Sequence, residues 1–489
     1  MRKFLVSIVL ILLVACQPNH KPEVNSVYYE IYVGSFYDSD GDGKGDLNGV
    51  LEKLDYIQND LGATGIWLMP IHPSPTYHKY DVVDYKDIDE DYGTLEDFDK
   101  LVSEMNRREM DLILDLVVNH TSSKHPWFLK AKEAHLNGKC DEVVECDFYN
   151  FSNERLPGYH KINNDLYYEG VFWGEMPDLN LDNPQVRENL LDISKFWLDK
   201  GVKGFRLDAT THFYAEDKSL NISFLDWFNK EIKNIKSDAY LVGEAWTGTS
   251  IIKDMYASGI DSFFNFSFSQ QSGTINQAVN TSDGMRLAQQ VERYQSDILK
   301  KNPNAIDAIF LTNHDNNRSA GYLLDLEKRK MSASLYLLMP GNVFIYYGEE
   351  VGLKGSGIDE NKRLPMPWSK RGTGVTNPPV NADYVQDDYE YVKDALKDKN
   401  SLLNHYRQIL RIRHQYPEIS RGNVIAYDLG HKALYALEHD GNIMVIHNLS
   451  QDEIEFDLNH DKMVLVTGKA KSKENKITLG GLSSIIIEK

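Results

Sequence analysis

Eight short β-rich runs recur along this chain with helix-spaced segments between them, and no other feature narrows the fold so far. The runs lie at 27–33, 65–70, 112–118, 204–208, 240–243, 262–266, 308–311 and 343–347. Between the first two, Leu51, Leu54, Ile57 and Leu61 keep a helical period, and 95–108 does so before the third. Ahead of the fourth, Asn183 stands where a helix cap is wanted, and Pro184 follows at the first helical position. Val186, Leu190, Ile193 and Trp197 then share one face, and Gly201 ends the pattern. Strand and helix alternating eight times predict an α/β fold, a (β/α)8 TIM barrel with parallel strands inside and helices outside. With 42% of its 489 residues apolar, the chain has ample material for such a core.

The alternation is interrupted once and then abandoned. About 60 residues rich in Asn, Asp, Gly and Tyr separate the third run from Pro184, too many for a bare loop, so a small domain inserted after strand 3 is expected at 121–182. After a helix at 402–414, apolar and polar residues alternate at 423–427, 433–438, 442–448, 453–458 and 483–488, with His439-Asp440-Gly441 as a hairpin turn. This texture predicts a C-terminal antiparallel β-sandwich at 419–489, which leaves 26–120 and 183–418 to the barrel.

The first residues read as an export signal at 1–15. Arg2 and Lys3 precede an apolar stretch far shorter than the ~20 residues a spanning helix needs. It ends in Leu13-Val14-Ala15-Cys16, which resembles the bacterial lipobox. That resemblance implies lipidation of Cys16, a polar tether at 16–25, and an exported protein held at the bacterial cell envelope by its lipid anchor only. Gln17 is not the Asp associated with inner-membrane retention. In such a compartment Cys140 and Cys146, six apart in a polar stretch, are expected to form a disulfide, since two thiols without nearby partners make a poor zinc set.

The formal net charge of −20 argues against nucleic acid, whose phosphates call for Lys and Arg. It suits a neutral ligand and a bound cation. Asp38-Ser39-Asp40-Gly41-Asp42-Gly43-Lys44-Gly45-Asp46 places Asp at positions 1, 3, 5 and 9 of a loop with Gly at 6, matching an EF-hand loop up to its ninth residue. Position 12 is Gly49, so a Ca2+ loop outside an EF-hand is expected, with Asp38, Asp40, Asp42, Asp46 and the carbonyl of Lys44 as ligands. Four carboxylates so close repel one another unless a cation intervenes.

In a barrel of this kind the C-terminal ends of the strands face one site. Those ends supply Asp115, Asn119 and His120, then Arg206, Asp208 and His212, then Glu244, and finally Asn313, His314 and Asp315. Arg206 and Asp208, two apart on a strand, share a face, and the arginine is expected to keep the aspartate ionised.

Asp115-Leu116-Val117-Val118-Asn119-His120, Gly204-Phe205-Arg206-Leu207-Asp208, Gly243-Glu244 and Thr312-Asn313-His314-Asp315 resemble, in order, the four signature regions of the α-amylase family of glycoside hydrolases. Met176-Pro177-Asp178-Leu179-Asn180 resembles the fifth, and Gly348-Glu349-Glu350 fits after strand 8. The resemblance implies Asp208 as nucleophile, Glu244 as general acid and base, and Asp315 as the acid that stabilises the transition state. It further implies substrate contacts from Tyr80, Asp115, His120, Arg206, His314 and Arg318, and a second Ca2+ held by Asn119 and the His212 carbonyl, although the family's usual aspartate there aligns with Asn180. Where the family often has Gly before the tyrosine and Lys before the histidine, this chain has Lys79 and Thr211.

The expected activity is retaining endo-hydrolysis of α-1,4-glucosidic bonds in starch, glycogen and maltooligosaccharides by a monomer. The alternatives are an exo-acting α-glucosidase or oligo-1,6-glucosidase, an α-glucanotransferase on the same scaffold, and a non-catalytic glycan-binding lipoprotein. Ala209 after the nucleophile resembles α-1,4 enzymes, whereas the calcium loop and the fifth region resemble the oligo-1,6-glucosidase side.

Overall fold

The computed structural model describes residues 26–384, 386 and 389–489. The signal, the tether and Cys16 lie outside them. The barrel strands are β1 (Val27–Ile31), β2 (Gly65–Leu68), β3 (Asp111–Leu116), β4 (Gly204–Leu207), β5 (Tyr240–Gly243), β6 (Ser262–Phe263), β7 (Ala308–Phe310) and β8 (Asn342–Tyr346). All pair in parallel in the order β6-β5-β4-β3-β2-β1-β8-β7, and a parallel bridge from Phe264 to Ala308 closes β6 on β7. The interior is filled by side chains: Tyr28 stacks between Tyr240 and Phe344 at 5.6 and 5.1 Å. Most strands stop a residue or more before the apolar runs do, because the last residues of each run leave the ladder and line the barrel mouth.

The helices follow the periodicities with one exception. The helix Pro184–Asp199 is capped by Asn183 and buries Val186, Leu190, Ile193 and Trp197. The helix expected through Leu51 to Leu61 is two pieces. An α-helix Leu47–Glu52 begins early because Asp46 caps it, and a π-helical turn Tyr56–Leu61 closes at Gly62, whose φ of 100° only glycine adopts freely.

Between β3 and Pro184 the chain forms a helix, Pro126–Asn137, and a three-stranded sheet of Phe151–Ser152, Tyr159–Asn163 and Leu166–Glu169. Cys140 and Cys146 are bonded to each other there. At the C-terminus a five-stranded and a three-stranded antiparallel sheet enclose a second core of Leu434, Met444, Ile446, Phe456, Ile477 and Ile485. The strands Leu434–His439 and Ile443–Asn448 turn at Asp440 and Gly441, both with positive φ, as the hairpin reading requires. Three strands not anticipated complete these sheets: Lys462–Thr467, Ala470–Lys473 and Lys476–Leu479.

Candidate active site

Parallel register sets the site. Asp115 on β3 is paired with Arg206 on β4, and Arg206 with Val242 on β5, so three neighbouring strand ends deliver their polar residues to one place. Arg206 is the hub. Its guanidinium lies 2.8 Å from Asp115 Oδ1, 2.6 Å from Asp208 Oδ1 and 2.8 Å from Glu244 Oε2, and it is fully buried. The chain turns sharply after Asp208, with Ala209 at φ 50°, which aims the Ala209 N–H at Glu244 Oε2, 3.0 Å away. Thr210 N donates to the Glu244 carbonyl and Glu244 N to the Leu207 carbonyl, both at 2.9 Å. Asp208 and Glu244 are therefore mounted on one hydrogen-bonded unit. Asp208 Oδ2 and Glu244 Oε1 accept no hydrogen bond from any described residue.

One guanidinium cannot neutralise three buried carboxylates: Arg206 favours the charged form of Asp208, as expected, but burial outweighs it. Burial pushes both Asp208 and Asp115 up to about 6 despite Arg206, and the neighbouring acids push the same way. Burial together with the charges of Asp208 and Asp315 also raises Glu244. Such a cluster retains a proton into the neutral range, which is the condition for a carboxylic acid that donates one.

Asp315 has the opposite environment. Burial opposes its charge, but His314 Nε2 at 3.0 Å from Oδ2 and the guanidinium of Arg363 at 3.3 Å from Oδ1 outweigh it and hold the carboxyl below the usual range. Tyr80 closes the ring of contacts. Its hydroxyl donates to Asp115 Oδ2 at 3.1 Å and lies 2.7 Å from His314 Nε2, and its ring stacks on His314 at 5.7 Å. Lys79, the departure noted beside it, does not reach the mouth: its ammonium is buried against Asp89 at 2.7 Å. Burial keeps His120 neutral, with a pKa lowered to about 3, and its buried Nε2 has no well-formed hydrogen bond, which leaves it for a ligand hydroxyl.

Arg318 does not join the site. It is fully buried, donates to the carbonyls of Lys362 and Tyr347, and lies over the rings of Tyr346 and Tyr347, so its role is to hold the loop after β8. Arg363, absent from the sequence reading, is the arginine that reaches Asp315. Glu349 and Glu350 are likewise buried anchors, accepting from Thr312, Tyr336 and Tyr406 and from Tyr29 and Tyr56 respectively.

The comparisons with known proteins agree with this geometry. The α-amylase catalytic domain matches residues 30–422. The protein called alpha-amylase 3 of Dictyoglomus thermophilum is 41% identical over 95% of this chain and 93% of its own. The Eubacterium rectale structure Amy13B superposes with a TM-score of 0.91 at 40% identity, covering 96% and 97% of the two chains. An oligo-1,6-glucosidase of Parageobacillus thermoglucosidasius is 30% identical over 83% of this chain and 85% of its own.

This chain belongs to the α-amylase family of glycoside hydrolases.

At the family's calcium loop the structure offers a test of fit. The carboxylates of Asp38, Asp40 and Asp42 gather within 4.8 Å of one another, and the Lys44 ammonium that could neutralise them pairs with Asp91 instead. Three close acids without a compensating side chain fit a calcium ion. Asp46 accepts from Ser39 N, Ser39 Oγ and Gly49 N at 2.7 to 2.8 Å, as Asp38 accepts from Gly41 N and Gly43 N at 2.6 and 2.8 Å. Around the second calcium set the side chains have other contacts. Asn119 turns its amide N–H to Asp178 Oδ1 at 3.1 Å, and His212 packs its ring on Phe172 at 5.0 Å. Asn180 donates to the Asp147 carbonyl.

Sequence reasoning also missed Glu30, buried on β1 against His314, and the half-exposed rings of Phe172 and Trp246. Glu30 carried a signal: it is the only charged residue in an otherwise apolar run, and a charge placed in a buried strand needs a partner.

Proposed function

We propose that this enzyme cleaves α-1,4-glucosidic bonds inside starch, glycogen and maltooligosaccharides with retention of configuration. Asp208 Oδ2 attacks the anomeric carbon while Glu244 Oε1 protonates the departing oxygen. Glu244, now a carboxylate, then activates the water that releases the sugar from Asp208. Asp315, held ionised, stabilises the positive charge that develops on the ring.

The observation that carries the endo reading is a pair of half-exposed aromatic rings, one packed on His120 and one shortly after Glu244 in the chain. Phe172 comes from the inserted region and lies against His120 and His212; Trp246 stands two residues past Glu244, stacked on Phe266 at 5.4 Å. Sugar faces stack on such rings, and two of them from separate elements suit a chain that continues past the cleavage point. A time course of products from soluble starch and from maltotriose tests it, because an exo-acting enzyme releases a single small product from the outset. The oligo-1,6-glucosidase reading rests on the relative of that name and predicts fast cleavage of isomaltotriose.

The same reading includes one calcium at Asp38, Asp40, Asp42 and the Lys44 carbonyl, which would neutralise the loop. It also includes a monomer tethered to the cell envelope through lipidated Cys16.

A further inference from the structure

The hydrogen-bond pattern around His314 fixes more than its orientation. Glu30 Oε1 receives two approaches from His314, the backbone N–H at 3.3 Å and ring Nδ1 at 2.6 Å, and both side chains are 1% exposed. As a carboxylate, Glu30 offers only lone pairs and meets Nδ1 as a donor. On the far side of the ring, Nε2 lies 3.0 Å from Asp315 Oδ2 and 2.7 Å from Tyr80 Oη. Tyr80 Oη also lies 3.1 Å from Asp115 Oδ2 and accepts from Arg206 at 3.3 Å, whereas the Asp315 carboxylate can only accept from Nε2. A bare Nε2 would confront the lone pairs of the ionised Asp315 carboxylate. Both ring nitrogens therefore carry hydrogen.

We propose that Glu30 is a positioning residue that keeps His314 as an imidazolium, so that a permanent cation, clamped between Glu30 and Asp315, holds Asp315 ionised and oriented toward the sugar. The surrounding charges agree. Glu30 from β1, Asp115 from β3, Asp208 from β4 and Glu244 from β5, each raised by burial, and Asp315, held low, face two guanidiniums, Arg206 and Arg363, with Tyr80 neutral between them. A third cation at His314 reduces that imbalance. Burial works against the imidazolium, yet Asp315 and Glu30 raise it to about 9. The inference rests on the family reaction only through the role of Asp315. It does not depend on which glucan is cut.

The test reads the ring directly in the free enzyme. The protein is labelled with 15N at histidine, and the His314 signals are assigned by their loss in His314→Gln. At about pH 7.5 both ring nitrogens should show imidazolium shifts, and a neutral signature would overturn the proposal. In Glu30→Gln, isosteric and able to accept from Nδ1, the midpoint should fall by about one unit or more, since that is what loss of one opposing charge in contact brings. In the same variant kcat/KM on maltotetraose should drop about threefold further at about pH 8.5 than at about pH 6.5, as a one-unit fall in that midpoint implies. If Glu30 only fills space, the variant will lose melting temperature while the His314 midpoint and the pH profile stay put, and that result also overturns the proposal. Should Glu30→Gln fail to fold, the wild-type spectrum decides alone.

Discussion

Replacing Asp208 with Asn should abolish turnover and stabilise the enzyme at the same time. In the folded state burial lifts this carboxyl from 3.8 to about 6. A group whose folded pKa lies above its unfolded value binds more protons when folded between those two values, so stability falls as pH rises through that window. Above about pH 6 the cost is complete, and two units correspond to about 3 kcal/mol. Asparagine keeps the shape, removes the charge and leaves Arg206 to Asp115 and Glu244, which also relieves the repulsion those acids feel. Unfolding entropy of about 2.1 cal/mol/K per residue over this chain converts that gain into a Tm rise of ~2–3 °C. The assay is calorimetry of both proteins at pH 7 and at steps down to pH 4, beside activity on soluble starch. The gain should shrink as the pH falls, because the wild-type acid becomes protonated and pays nothing for its burial. A variant with a lower Tm at pH 7, or a gain that does not vary with pH, would refute the reasoning.

Three further outcomes are expected. Chelation should lower the Tm of the wild type, because an ion bound only by the folded state stabilises it by mass action; Asp38→Ala with Asp42→Ala should remove that sensitivity, and a wild type indifferent to chelator would dismiss the calcium loop. Ala209→Val should shift the ratio of kcat/KM on maltotetraose to that on isomaltotriose towards α-1,6, and should also lower both values, because Ala209 sits at φ 50°, where a branched side chain is strained; an unchanged ratio would remove Ala209 from the specificity argument. Cys16→Ser should release active enzyme from the membrane fraction, whereas unchanged fractionation would mean that another feature anchors it.

The strands that carry chemistry were legible because they are buried on both faces and read as apolar runs, and Tyr240–Gly243 has the bounds the sequence predicts. Lys462–Thr467, Ala470–Lys473 and Lys476–Leu479 were not, because lysines and exposed positions dilute their alternation. Strand ends alone bring Asp115, Asp208, Glu244 and Asp315 together; the resemblance implies their roles. What the sequence hides is which arginine serves which acid. Arg318 is three residues from Asp315 in the chain, yet it turns inward, and the partner of Asp315 is Arg363, 48 residues further on. Equally hidden in the sequence is the hydrogen bond from the Asn119 amide to Asp178, 59 residues further on. Lys79, where the family often has Gly, is paired with Asp89, ten residues later.

The most direct test of retaining, internal α-1,4 cleavage is proton NMR of maltopentaose digestion, read in the first minutes before mutarotation. The account predicts that new reducing ends appear first as the α-anomer, with maltose and maltotriose from the outset. A β-anomer appearing first, or glucose as the only early product, would contradict it.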